Sequence, residues 1–89
     1  MINTNVQLAA LSMDLKRVAL ASYNHSSKVA DRFIRESLTK KNSIDIAAQR
    51  QHIRRLLTNL DDMLSQKDTV RLAEDALLYS TLLQNAALQ

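Results

Sequence analysis

IDIAAQRQHIRRLLTNLDDMLS, residues 44–65, places Ile46, Ile53, Leu56, Leu57, Leu60 and Leu64 at steps of three, four and seven, with polar residues between them. That spacing matches the 3.6-residue period of an α-helix with a single apolar face. A strand of this length would alternate apolar and polar at every second residue, and this stretch does not. The segment is therefore expected to be an amphipathic helix, the third along the chain, packed on one side against other helices.

Upstream, Asn42 and Ser43 supply a stop followed by a cap, so this helix is expected to start just after them. The preceding segment, capped by Ser26 or Ser27 and ending near Lys41, turns Val29, Ala30, Phe33, Ser37 and Leu38 inward, with Ile34 at the edge. Its outer face pairs Asp31 with Arg35, Arg32 with Glu36 and Glu36 with Lys40 at four-residue spacing. A first helix, from Val6 to about Ser22, carries Leu8, Leu11, Leu15 and Val18 on one side. Asn3, Thr4 or Asn5 are its candidate caps. Asn24 is its expected stop, because asparagine tolerates the left-handed conformation after a helix. Downstream, Asp68 caps a fourth helix whose inner face is expected to be Val70, Ala73, Ala76, Leu77, Ser80, Leu83 and Ala87. The break at Ser65 to Lys67 is the weakest of the three.

Composition agrees with helix throughout. The 89 residues include no glycine and no proline, so nothing readily supplies the positive φ of tight hairpins and nothing breaks a helix outright. Four helices joined by short loops predict a small all-α domain over residues 1–89, an antiparallel four-helix bundle. The alternative is three helices with a long helical hairpin arm, should the third and fourth run together.

The same composition excludes much chemistry. Without glycine there is no phosphate-cradling loop and no dinucleotide fingerprint. Without cysteine there are no disulfides, thiolate sites or thiol nucleophiles, which suits a reducing cytoplasm. The two histidines, His25 and His52, lack the spacing of a zinc protease or di-iron bundle. His25 beside Ser26 and Ser27 reads as loop polarity and capping, because sequence neighbours rarely form a triad. His52 reads as a boundary residue on the third helix. The adjacent acids Asp61–Asp62 and Glu74–Asp75 diverge by ~100° on a helix and form no local dyad. No catalytic residue, metal ligand, cofactor or small-molecule site is expected, and neither a secretory leader nor a membrane-spanning segment.

Two surface features remain. Val6, Met13 and Leu20 lie about half a turn away from the main apolar face of the first helix, and Leu78 and Leu82 lie roughly opposite Ala76 and Leu83 on the fourth. One core cannot readily cover both sides. These five residues are the candidate contact with another protein or a second copy of the chain, a homodimer being the simplest form. The second feature is electrostatic. Twelve Lys and Arg stand against nine acids, a net charge of +3, and Lys40, Lys41, Arg50, Arg54 and Arg55 fall between residues 40 and 55 with only Asp45 among them. Such a cluster would suit the phosphates of a nucleic acid, although no aromatic residue lies within it to stack on bases. A non-catalytic interaction module is the primary expectation and a nucleic-acid-binding regulator the alternative.

Overall fold

A computed structural model describes residues 4–88. Helices α1 (Thr4–Tyr23), α2 (Ser27–Asn42), α3 (Gln51–Ser65) and α4 (Thr69–Ala87) follow one another, with a 3-10 turn at Ile46–Ala48 between α2 and α3 and no strand among the described residues. The chain is an all-α four-helix bundle. The arm alternative fails at residues 66–68, where Gln66 and Asp68 are extended. Asp68 holds the start of α4 by accepting from the amides of Val70 and Arg71, each at 3.1 Å, which supplies two of the helix's orphan donors.

The α1–α2 turn differs from expectation in the residue that makes it. His25, not Asn24, takes the left-handed conformation, with φ 56°. The Ser26 amide donates to Ala21 O at 2.9 Å and the His25 amide to Ser22 O at 3.2 Å, the two bonds of a Schellman ending with His25 in the place glycine usually occupies. Asparagine and histidine both tolerate that region, and helix length decides between them. Ser26 stands at the start of α2 but makes no side-chain cap. Of the caps considered for α1, Asn3 lies outside the described residues, while Thr4 and Asn5 are already helical.

The α2–α3 connection is longer than the stop-then-cap pattern implies. Ser43 closes α2 by donating from its hydroxyl to Lys40 O at 2.8 Å and does not open α3. Buried Ile44 and half-buried Ile46 anchor the connection to the core, and α3 begins only at Gln51. Ile46 therefore contributes from the turn and not from the face of α3.

The core is built from Leu8, Leu11, Leu15 and Val18 of α1, Ile53, Leu57, Leu60 and Leu64 of α3, and Leu72, Ala76 and Leu83 of α4. Phe33, Ile34 and Leu38 of α2 cover it from the side, half-buried. Three residues assigned inward by spacing are exposed: Val29, Val70 and Leu77. Each sits on a flank where the neighbouring helix does not reach.

Helices α1 and α4 are the closest pair in the bundle. They run antiparallel: Asn5 and Leu8 lie beside Ala86 at one end, and Ser22 lies beside Thr69 and Leu72 at the other. Small side chains let them approach. Ala19, Ala73, Ala76, Ser12 and Ser80 are all buried. The Ser80 hydroxyl donates to Ser12 O at 2.7 Å, and the Ser12 hydroxyl donates to Gln84 Oε1 at 3.3 Å. Those bonds satisfy hydroxyls that would otherwise be costly to bury.

Candidate interaction surfaces

Ser80 and Gln84 mark the flank of α4 that faces α1. Successive residues on a helix turn by ~100°, so Val70, Leu77 and Gln84, seven apart, line up along that flank just outside the Ser80 contact. On α1, Met13 lies ~100° from Ser12 on one side and from Asp14 on the other. Since Ser12 touches α4 and Asp14 is bound by Lys40 of α2, Met13 faces outward between them. Val6 and Leu20, seven residues before and after it, share that line. The side chains are open to solvent: Val6 59%, Met13 52% and Leu20 53% exposed on α1, with Val70 57% and Leu77 42% on α4.

Because the two helices are drawn together by small residues, these rows border one another on a single outer face. Lys16 and Glu74 are the only charged residues within it; Arg17 stands at its margin. Apolar residues at strict seven-residue intervals on both members of an antiparallel pair are the arrangement that receives knobs from further helices. The seven-residue spacing of Val70 and Leu77 is visible in the sequence, but the three-and-four spacing of a buried face fits both residues as well.

Leu78 and Leu82 are also exposed, but Leu82 stands on the other flank of α4 and Leu78 between the two flanks, ~100° from Leu77. Asp75 accepts from Gln66 Nε2 at 3.0 Å, which identifies the side of α4 turned toward the α3–α4 connection, and Tyr79 and Leu82 follow Asp75 along it at four- and seven-residue steps. Of the five candidate contact residues, Val6, Met13 and Leu20 form one row, which Val70 and Leu77 border on α4. Beside Leu78, burial pushes the Tyr79 hydroxyl above its ordinary value of 10.0, and the nearby Asp75 carboxylate adds to the rise.

Two members of the basic cluster, Lys40 and Lys41, are engaged in ion pairs. Lys40 donates to Asp14, a carboxylate only 2% exposed that also accepts from Arg17 at 3.2 Å. Lys41 pairs with Asp61 of α3 at 3.1 Å. Both lysines thus tie helices together. Arg50, Arg54 and Arg55 are exposed along α3, and Arg54 and Arg55 form no ion pair among the described residues. Of the α2 surface pairs, only Arg32–Glu36 forms, at 3.6 Å. Asp14 was not marked by the sequence pattern; its position between Met13 and Leu15 shows no apolar period that would single it out. Phe33 is flanked by two guanidinium groups, Arg17 and Arg32, each 5.5 Å from the ring centroid, a cation–π contact that seals the α1–α2 seam.

His52 is exposed on α3 beside a shallow hollow, and His25 is held in the α1–α2 turn by its own backbone. Among the described residues no cluster of three or more His, Asp or Glu is placed to hold a metal ion, and no helix is long and apolar enough to cross a membrane. No family model, curated protein or solved structure matches the chain.

Proposed function

We propose that this chain is a non-catalytic, cytoplasmic protein-interaction module that pairs with a second copy of itself through the outer face of α1 and α4. The observation that carries this is the double row: Val6, Met13 and Leu20 on α1, with Val70 and Leu77 on α4, each set at seven-residue intervals and open to solvent. A two-fold axis lets such a face meet itself, α1 of one copy lying against α4 of the other. In that arrangement Lys16 of each copy approaches Glu74 of the other, so the two charges inside the face become complementary.

From Val6 to Leu20 the row runs about 21 Å at 1.5 Å per residue. Across two helices this is at the small end of stable interfaces, which bury roughly 800 Å² per partner. Pairing is accordingly expected to depend on concentration in the micromolar range.

Light scattering after size-exclusion chromatography, over a range of concentrations and at two salt levels, tests it. The mass should rise from 10.1 kDa toward twice that value. Met13→Glu with Leu20→Glu should hold the chain monomeric with its helicity unchanged. Leu82→Glu, on the other flank, should leave pairing intact. A single-chain mass at every concentration overturns the proposal.

A second reading, a regulator that binds nucleic acid, draws on exposed Arg54 and Arg55, which have no acidic partner on α3 or its neighbours, together with Arg50. The commitment of Lys40 and Lys41 to ion pairs leaves it the smaller footprint. It predicts binding to a DNA or RNA duplex that falls steeply with salt and is lost in Arg50→Glu with Arg54→Glu; a flat titration at low salt disposes of it.

A further inference from the structure

Without cysteine, sulfur chemistry in this chain falls to its three methionines, whose thioethers are open to reversible oxidation. They are not equivalent. Met1 lies outside the described residues. Met63 is 7% exposed and belongs to the core with Leu57, Leu60 and Leu64. Met13 is 52% exposed and occupies the middle of the α1 row, seven residues after Val6 and seven before Leu20.

Little on its own helix shields it. The neighbours one turn away are Ala9 and Ala10 on one side and Lys16 and Arg17 on the other. The alanines are too short to cover a thioether, and Arg17 is drawn off to Asp14 and the Phe33 ring. A small oxidant in water therefore has access to Met13 in the single chain and not to Met63.

The position gives oxidation a consequence. A thioether suits the centre of an apolar contact, whereas a sulfoxide there is a strong hydrogen-bond acceptor that pairing strips of its water. Val6, Leu20, Val70 and Leu77 carry no side-chain donor to satisfy it, and Lys16, the one cation within the face, is matched by Glu74.

We propose that Met13 is an oxidation site that switches pairing: peroxide separates the two copies and reduction of the sulfoxide restores them. This rests on the pairing of α1 and α4 described above. In the forward step the Met13 sulfur gives two electrons to a peroxide oxygen. The S–O bond forms, the O–O bond breaks, and the departing hydroxide takes up the proton left on the transferred oxygen and leaves as water. In the return step a dithiol-dependent methionine sulfoxide reductase supplies two electrons and two protons, and the oxygen leaves as water. Pairing covers Met13, so oxidation proceeds through the single chains that a micromolar equilibrium keeps in supply.

Hydrogen peroxide is the probe, with peptide mass mapping to locate the added oxygen, circular dichroism to follow the helices and light scattering to follow pairing. Met13 should convert before Met63, with helicity unchanged, and more slowly as chain concentration rises. Each sulfoxide should weaken pairing about tenfold, and one from each copy about a hundredfold. The oxidised chain should then run as a single chain where the untreated one pairs, and reductase treatment should restore the pair. Met63→Leu, a volume-conserving change, should respond to peroxide in the same way. A folded chain that carries the Met13 sulfoxide and pairs as tightly as before overturns this proposal alone. So does a loss of pairing that tracks oxygen on Met1 or Met63 instead. An untreated chain that stays single at every concentration overturns the pairing itself, and this proposal with it.

Discussion

Helices α1 and α4 stand against α2 and α3 as two kinds of helix in one bundle. Helices α1 and α4 approach each other through serine and alanine, and each carries apolar side chains on its outward side as well. The other pair meet the core through one face each, α3 through buried Ile53, Leu57, Leu60 and Leu64 and α2 through buried Ala30 and Ser37 beside half-buried Phe33, Ile34 and Leu38, and turn mostly arginine, lysine, aspartate and threonine outward. A one-sided helix finishes its burial inside the bundle. A two-sided helix does not, and its remaining face is where a partner gains the most by covering apolar surface. The position of a helix in the bundle thus separates scaffold from contact surface, and the differences between the two pairs can be measured.

The largest effect is expected where α1 and α4 touch. Ala76→Leu inserts a branched side chain where backbones are drawn together, and it should cost about 3 kcal/mol, read as a fall in melting temperature by circular dichroism. Thr58→Leu, an equally bulky change on the outer side of α3, should stay within about 0.5 kcal/mol. Equal losses at the two positions would erase the distinction between the pairs.

Next comes the tie between α1 and α2. Removing the amine in Lys40→Met leaves the buried Asp14 carboxylate with Arg17 alone, at 3.2 Å. Loss of one partner from a fully buried pair costs about 3–5 kcal/mol; Lys40 is partly exposed, so solvent screening brings the expected loss to about 2 kcal/mol. Lys41→Met, whose partner Asp61 is exposed, should cost less than about 1 kcal/mol. Chemical denaturation of the two variants side by side gives the ratio.

The two helix starts sharpen the comparison further. Asp68→Ala removes two bonds at α4 and should destabilise by about 1 kcal/mol. Ser26→Ala removes none at α2 and should be close to neutral. A substantial loss in Ser26→Ala would show that α2 is capped after all.

The smallest effect is a pH dependence at Tyr79. Its hydroxyl titrates above 10.0 in the folded chain, so the folded state holds its proton longer than the unfolded one. The associated stability is therefore fully present below pH ~10 and is lost as pH rises through the folded value. Tyr79→Phe should flatten part of that alkaline decline relative to the unaltered chain, with no change at neutral pH.

Much of this arrangement was legible along the chain. Leu8, Leu11, Leu15, Val18, Ile53, Leu57, Leu60 and Leu64 repeat with the helical period and all are buried. Asp68 before an apolar run marked a helix start that its two bonds bear out. Less legible was anything depending on which flank a neighbour covers. Val29, Val70 and Leu77 satisfy the periodicity of a buried face and yet are exposed. The left-handed residue of the first turn fell at His25, one residue past the asparagine that tolerance alone favours.

By itself the sequence determined the class of fold, because hydrophobic period, the absence of glycine and proline, and local caps act within a turn or two of each residue; the separation of the third helix from the fourth it left open. Tertiary structure alone decided that Lys40 would pair with buried Asp14, and that Val70 and Leu77 would be left exposed beside Met13. These are relations between segments far apart along the chain, as Ser12 and Gln84, 72 residues apart, are. They follow from how closely small side chains allow two helices to approach and from the rotation each helix adopts in the bundle, and neither quantity is written in the spacing along one chain.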